Sequence, residues 1–328
     1  MLQWSDNRTM AASGQLDALL SSLVAAGRPS SMSLPRQQGL QNFTALAQWL
    51  AGPSSGPAGQ DLTIAGPAGA VPLRVYRPDS APRSPGRKPP VALFFHGGGW
   101  VLGGLDSHDT LCRELAMQAG VVLVAVDYRL APEHPYPAGL DDCAAATRWV
   151  AAHAGDLDAD ASRLAIVGDS AGASLAAAVA MVARDDRDLA VTLQVLAYPA
   201  LDPAMGTPSY TVNADDPFLS RSEMKSYWAH YLGASPPDGL AAPALALAPD
   251  LADLPPAYVM VAGRDVLRDE GIAYAERLAA SGVAVQLRRF DDMVHGFLLC
   301  TAWLDAAREG VAELAAALRS GLDPAGRT

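Results

Sequence analysis

The sequence is most informative first in what it has little of. Only three cysteines occur in 328 residues, Cys112, Cys143 and Cys300. They are scattered and odd in number, with no CxxC or metal-type spacing, so neither a disulfide framework nor a cysteine-held metal is expected. Reduced, buried thiols in a cytoplasmic protein are the expectation. Basic residues are also scarce. Lys and Arg number 24 against 35 Asp and Glu, for a net charge of −11, and no basic cluster stands out. That balance argues against nucleic acid as a partner and disfavours anionic substrates and membranes. No run is long enough to span a membrane without a charge or a proline. The start has no basic segment followed by an unbroken apolar stretch, so no secretory signal is expected either. There is no GK[ST] and no GxGxxG opening a helix, which weakens any phosphate-binding reading. Internal repeats are absent, and low complexity is confined to alanine-rich stretches. What is abundant is apolar: half the residues are hydrophobic and 18% are charged, which suits a large buried core and not a disordered chain.

The length suits one large α/β domain, alone or with a small cap. Residues 1–55 read differently from the rest. In GQLDALLSSLVAAG, Leu16, Leu19, Leu20 and Leu23 fall on one helical face, with Gly27 as a stop signal. LQNFTALAQWLAG predicts a second amphipathic helix ending near Gly52, and GPSSGPAGQ reads as a linker. Residues 1–55 are therefore expected to form an N-terminal helical cap segment, the alternative being an arm on the sheet's flank. Residues 56–328 form the expected catalytic domain. DLTIAG and PLRVYRP predict a hairpin, and DSAPRSPGRKPP a surface loop. The runs PVALFF, VVLVAVD, RLAIVG, VTLQVLAYP, AYVMVAG and VAVQLRRF (283–290) alternate with helical stretches, the last of them at 302–319. Continuous apolar strands alternating with helices predict a mostly parallel sheet covered on both faces. Residues 205–240 interrupt the alternation with an aromatic-rich helix carrying Tyr227, Trp228 and Tyr231. It is read as a second cap segment walling a pocket, with an ordinary crossover helix as the alternative.

The chemistry centres on Gly168-Asp169-Ser170-Ala171-Gly172, a G-x-S-x-G pattern between a predicted strand and a predicted helix. A serine there must take a strained conformation at a sharp turn, and the glycines remove side chains that would collide. The plain alternative is a structural turn or helix N-cap. A serine hydroxyl needs a base, and the base needs an orienting acid. His295 follows the last strand and Asp265 sits in the turn after another. The order Ser170, Asp265, His295 places each at the carboxyl end of a strand, the edge where open α/β sheets build their sites. Asp269 and Glu270 are rival acids, read as cap or solvent-facing charges on the next helix; Asp291 and Asp292 are less natural partners for His295. FFHGGGWVLGG follows the first parallel strand, and its glycines let backbone amides approach a substrate as oxyanion donors.

Five segments resemble the hormone-sensitive-lipase-like family of bacterial esterases, within the α/β-hydrolase superfamily. They are HGGGW at 96–100, DYRLAPEHPYPAGLDD at 127–142, GDSAGAS at 168–174, GRDVLRDEG at 263–271 and HGF at 295–297. They span most of residues 60–320 in the right order, and YRLAPEHP is the most specific. The resemblance implies an α/β-hydrolase fold and a cofactor-independent carboxylesterase acting on short- to medium-chain acyl esters, with a small neutral ester as its partner. It matches Ser170 to the nucleophile, Asp265 to the acid and His295 to the base. The amides of Gly98, Gly99 and Ala171 match the oxyanion hole, with Gly97 in place of one of them if the loop register differs. His96 and Asp169 match positions read as bracing the glycine loop and the elbow, and Glu133 and His134 as fixing a loop. The chain has Ala173-Ser174 where the family often has Gly-Asn, and Val266 where it often has proline; no chemical group of the mechanism is lost. Trp100 is expected to narrow the site beside Tyr227 and Trp228. The alternatives are another carbonyl substrate for the same triad (amide, lactone, carbamate or carbonate) and a non-catalytic small-molecule binder. An interfacial lipase is disfavoured for want of an apolar lid, and stable membrane association with it. The oligomeric state stays open, a homodimer through the C-terminal strand and helix included.

Overall fold

A computed structural model describes residues 2–5, 12–25, 31–54, 56–78, 87–186, 188–234, 237–241 and 250–323. Gly27 and residues 79–86 of the expected surface loop lie outside them. The elements run β1 (Leu2–Ser5), α1 (Ala12–Ala25), α2 (Arg36–Ala51), β2 (Gln60–Gly66), β3 (Gly69–Tyr76), β4 (Pro90–Phe95), α3 (Asp109–Ala119), β5 (Val122–Val126) and α4 (Ala138–His153). They continue with β6 (Asp160–Asp169), α5 (Ala171–Asp185), β7 (Leu193–Ala197), α6 (Ser209–Val212), α7 (Arg221–Leu232), β8 (Ala257–Arg264), α8 (Arg268–Ala280), β9 (Val285–Val294) and α9 (Asp305–Gly321).

The nine described strands form one sheet in the order β1-β9-β8-β7-β6-β4-β5-β3-β2. Only the β2–β3 and β3–β5 pairings are antiparallel. The hairpin comes from residues 66–69, where Gly66 pairs with Gly69. The central strands are apolar without alternation because both faces are covered. In β4, Val91, Leu93 and Phe95 pack into one apolar cluster while Ala92 and Phe94 pack into the other. The first cluster includes residues of α4, α5 and α8; the second includes residues of α1, α3 and α9. No described helix is long and apolar enough to cross a membrane.

Two features depart from the sequence reading. The segment 1–55 is not helical throughout, because Leu2–Ser5 joins the sheet as β1, in parallel with β9. Four residues are too few for a period-two pattern to register. β9 itself runs four residues beyond the expected end at 290. β1 pairs along the outer side of β9 over Val285–Arg288. What the topology contributes to function is position: β4, β6, β8 and β9 are mutually parallel or neighbour parallel strands, so their carboxyl ends share one rim.

Candidate active site

Ser170 leaves β6 and N-caps α5 with φ 54° and ψ −121°, a left-side conformation that side-chain-bearing residues rarely adopt. The turn closes only around glycine. A Cβ on Gly172 would lie 1.9 Å from the Phe95 carbonyl oxygen, and one on Gly168 would lie 2.3 Å from that of Gly172. The Ser170 amide donates to the Ala197 carbonyl at 2.8 Å, fixing the elbow to the next strand. Ser170 is therefore held by its neighbours in a strained turn at the N-terminus of a helix, where the dipole favours negative charge.

The three triad candidates meet. His295 Nε2 lies 2.9 Å from Ser170 Oγ, and His295 Nδ1 lies 2.8 Å from Asp265 Oδ2. Asp265 is fully buried, and its other oxygen accepts from the Leu267 amide at 2.9 Å. Its carbonyl accepts from Asn213 Nδ2 at 2.9 Å, so the segment around α6 braces the acid turn. The edge of Tyr198 packs on the His295 ring at 4.9 Å and 64°. Burial alone would push the His295 imidazole towards neutrality. The Asp265 carboxylate outweighs it, with smaller help from Asp169 and Asp216, and the pKa rises above its ordinary value.

The rival acids are engaged elsewhere. Asp269 pairs with Arg268 and accepts from the Ser209 amide at 2.7 Å. Glu270 is no solvent-facing charge: it is fully buried, accepts from the Leu201 amide at 2.6 Å, and burial raises its pKa well above the ordinary value. Its place on the buried face of α8 was hidden because its partner is a backbone amide far along the chain. Asp291 pairs with Arg289.

After β4 the chain turns through the glycine triplet. Gly98 (φ 116°) and Gly99 (φ 62°) need backbone freedom that other residues lack, and both line the cavity above Ser170. The Gly98 carbonyl accepts from Leu102 at 2.8 Å and Val101 at 3.1 Å, curling the loop into a compact turn. Gly97 differs. Its amide donates to Asp169 Oδ1 at 2.8 Å and is engaged there in this register. His96 braces the loop as a neutral ring. Burial, then the neighbouring His108, push its pKa down to about 3. It stacks on Tyr128 at 4.3 Å, and the Tyr128 hydroxyl donates to its carbonyl at 2.7 Å. In the YRLAPEHP segment, Glu133 accepts from Arg36 Nε of α2 at 2.9 Å.

A cavity of about 320 Å³ opens above Ser170. Helices α1 and α2 wall one part of it with Leu23, Phe43, Leu46 and Leu50, and the 217–227 segment walls another with Phe218, Met224 and Tyr227. Tyr227 lies against the glycine loop so closely that a Cβ on Gly99 would fall 2.2 Å from its Cδ1. Trp100 and Trp228 are not in the wall. Trp100 is 1% exposed and sits behind it, stacked on Tyr231 at 4.3 Å and tilted on Trp228 at 4.4 Å. The expectation that they face the substrate is corrected for a plain reason: the two rings pack on each other and on Tyr231. The sequence reading missed Phe43, Leu46, Phe218 and Met224. For Phe43 and Leu46 the apolar face of α2 was the only signal, and an apolar face reads equally well as core; Phe218 and Met224 lie just before and in α7.

The sequence matches the α/β hydrolase fold family over residues 92–299. It is 45% identical to the esterase LipI of Mycobacterium tuberculosis over 263 residues, 79% of this chain and 81% of that protein. With the ethyl acetate hydrolase of Pseudomonas putida the identity is 36% over 92% of this chain and 96% of that one. Among solved structures, a thermostable esterase from Pseudomonas putida superposes with a TM-score of 0.88 at 33% identity, covering 97% of this chain and 99% of that chain. The esterase of Pyrobaculum calidifontis gives 0.84 at 36% identity, over 95% and 99%. A strained serine at a strand–helix elbow, a histidine and an acid within hydrogen-bond reach and a glycine loop facing the same cavity agree with these matches: the chain belongs to the α/β-hydrolase fold family and, within it, to the hormone-sensitive-lipase-like carboxylic ester hydrolases.

Proposed function

We propose that the chain is a serine carboxylesterase with Ser170 as nucleophile, His295 as base and Asp265 as acid. The observation that carries this reading is the unbroken Ser170–His295–Asp265 hydrogen-bonded chain at the cavity floor. His295 Nε2 takes the Ser170 proton as Oγ bonds to the ester carbonyl carbon. The amides of Gly98, Gly99 and Ala171 receive the oxyanion. As the intermediate collapses, the bond to the alcohol oxygen breaks and the imidazolium gives its proton to that oxygen. Water, deprotonated by His295, then attacks the acyl-enzyme; the acid leaves and Ser170 regains its proton. Asp265 holds the tautomer with the proton on Nδ1 and stabilises the imidazolium without taking its proton.

Cavity size and lining support short- to medium-chain neutral acyl esters. About 320 Å³ is near the lower end of small-molecule pockets, and the wall is mostly aliphatic and aromatic. Residues 1–55, through α1 and α2, and the 205–240 segment are read as the cap over residues 56–328. Their contribution of Leu23, Phe43, Met224 and Tyr227 to the cavity supports that division. The three cysteines are buried free thiols, which fits a reducing, cytoplasmic setting. The test is hydrolysis of p-nitrophenyl esters from acetate to palmitate beside Ser170→Ala. Turnover that peaks at short or medium chains and vanishes in the variant is expected. A folded wild type that hydrolyses none of the series while a fluorophosphonate still labels Ser170 would move the reading to another leaving group.

A further inference from the structure

The site contains a second carboxylate–imidazole pair that the mechanism above does not use. Asp169, one residue before the nucleophile, is 3% exposed, and His108 is 1% exposed. His108 Nε2 lies 3.3 Å from Asp169 Oδ1, a long, ion-pair-like contact. The same oxygen accepts the Gly97 amide at 2.8 Å. On the far side of the ring, His108 Nδ1 lies 2.8 Å from Ser107 Oγ. For a neutral His108 to present N–H to Asp169 from Nε2, Nδ1 must accept, and the Ser107 hydroxyl is placed to supply that proton. Space is as tight as the polar contacts. A Cβ on Gly97 would lie 2.5 Å from Asp169 Oδ2, so the glycine backbone is pressed against the carboxylate.

We infer that Asp169, oriented by His108, is a positioning residue for the oxyanion hole: it holds the Gly97 amide so that Gly98 and Gly99 present theirs to the cavity. The inference rests on the esterase reading and adds to it the group that sets the register of the glycine loop. The loop has three consecutive amides and needs two. One fixed donor at its start removes the freedom to slip by one residue. The energetic logic is that of preorganisation: an oxyanion donor is worth most when no reorganisation is left for the moment of charge development. A buried carboxylate suits the task because a charged acceptor makes a stronger bond to an amide than a neutral one.

The ionisable groups facing Asp169 come from every element around it. His96 and Tyr128 stand on the β4 and β5 sides, His108 and Cys112 at the start of α3, Tyr198 after β7 and His295 after β9. Burial opposes the Asp169 charge. His108, the Gly97 amide and His96 together outweigh it, and the carboxyl stays below its ordinary pKa. The charge in turn helps raise the pKa of His295. Asp169 thus has two separable effects, geometric through Oδ1 and electrostatic through its charge.

Two substitutions separate them. Asp169→Asn keeps an oxygen for Gly97 and His108 and removes the charge. Asp169→Ala removes both. On p-nitrophenyl butyrate, Asp169→Ala is expected to lose about a hundredfold in kcat with KM near wild type, the pattern of a donor lost from the transition state alone. Asp169→Asn is expected to regain most of that loss, to within about tenfold of wild type, because the acceptor is restored. Its kcat/KM profile is expected to have its acid limb displaced to lower pH, since the charge that supports the His295 imidazolium is gone. If Asp169→Ala does not fold, His108→Leu and His108→Gln make the same comparison, glutamine offering an N–H where histidine had one. Equal losses in the acidic residue's two variants, a loss appearing in KM instead of kcat, or an unchanged kcat in Asp169→Ala would overturn the inference. Wild-type turnover and its loss in Ser170→Ala, measured alongside, separate that result from a failure of the esterase reading.

Discussion

Two Ser–His–Asp constellations lie side by side in this molecule, and only one is arranged to react. In the first, Asp265 faces Nδ1 of His295 and Nε2 faces Ser170. In the second, the ring is reversed: Asp169 faces Nε2 of His108 and Nδ1 faces Ser107. The residue types are the same; the surroundings differ. Ser170 sits at φ 54°, lines the cavity and has the amides of a glycine loop nearby. Ser107 sits in an unstrained turn, accepts the Gly104 amide at 3.1 Å and faces His108 Nδ1 at 2.8 Å. Ser107 is not among the residues lining the cavity, so no carbonyl carbon is presented to it there. Reactivity here comes from strain, access and oxyanion donors around the triad, and not from the three side chains alone.

The largest way to break that comparison is to remove the first constellation. Ser170→Ala is expected to lower kcat by roughly 10⁴ to 10⁶, and Asp265→Asn by about 10⁴ through loss of the productive tautomer. Steady-state rates on a p-nitrophenyl ester, with circular dichroism to show retained fold, check both. A residual rate within tenfold of wild type in either variant would place the nucleophile or the acid elsewhere.

A second contrast sets Trp100 against Tyr227, neighbours across the glycine loop. Tyr227 lines the cavity and Trp100 lies behind it in an aromatic stack. Trp100→Ala is expected to cost about 3–5 kcal/mol of stability by leaving a cavity in packed core. Acyl-chain preference should change little. Tyr227→Ala, also at a buried position, should differ by shifting the ratio of kcat/KM between octanoate and butyrate by about tenfold or more. Denaturant melts and the ester series together read both residues. A changed chain-length preference in Trp100→Ala would put its ring back in the wall.

These contrasts mark what sequence patterns convey. The parallel sheet was legible because strands buried on both faces must be apolar throughout, as PVALFF and AYVMVAG are. The triad was legible because each member ends a strand and the elbow demands glycine at 168 and 172. Gly97 was not separable from Gly98 and Gly99, since three identical residues differ only in which acceptor each amide meets, and that acceptor is Asp169, 72 residues away. Trp100 and Trp228 read as pocket walls because aromatic side chains suit a wall and a core equally; what decides is which neighbours the ring meets, here each other and Tyr231. Glu270 read as a surface charge because its partner is a backbone amide from a distant loop, which leaves no trace in local composition.

A smaller effect is expected at the second constellation. Ser107→Ala removes the hydroxyl that favours one tautomer of His108 and leaves Asp169, Gly97 and the first triad in place. Loss of one such hydrogen bond is worth about 0.5–1.5 kcal/mol, so kcat should fall by no more than about tenfold. A fall as deep as that of Ser170→Ala would mean that Ser107 takes part in the chemistry, and the distinction drawn between the two serines would fail.

The smallest expected effect is electrostatic and concerns the base alone. Asp216 adds to the negative field that raises the pKa of His295, without belonging to either constellation. The base must be neutral to accept the Ser170 proton. A raised pKa therefore means that kcat/KM climbs through a pH above the ordinary histidine value and is lost as pH falls through it. Asp216→Asn keeps an oxygen for the Phe218 amide, which Asp216 Oδ1 now accepts at 2.9 Å, and removes the charge. With less negative charge nearby the imidazolium is less favoured, so the acid limb should move to lower pH while the plateau rate stays close to wild type. A profile that does not move would show that the Asp216 charge is screened from the ring. One that moves to higher pH would contradict the sign of the field, because removing an anion cannot stabilise a cation.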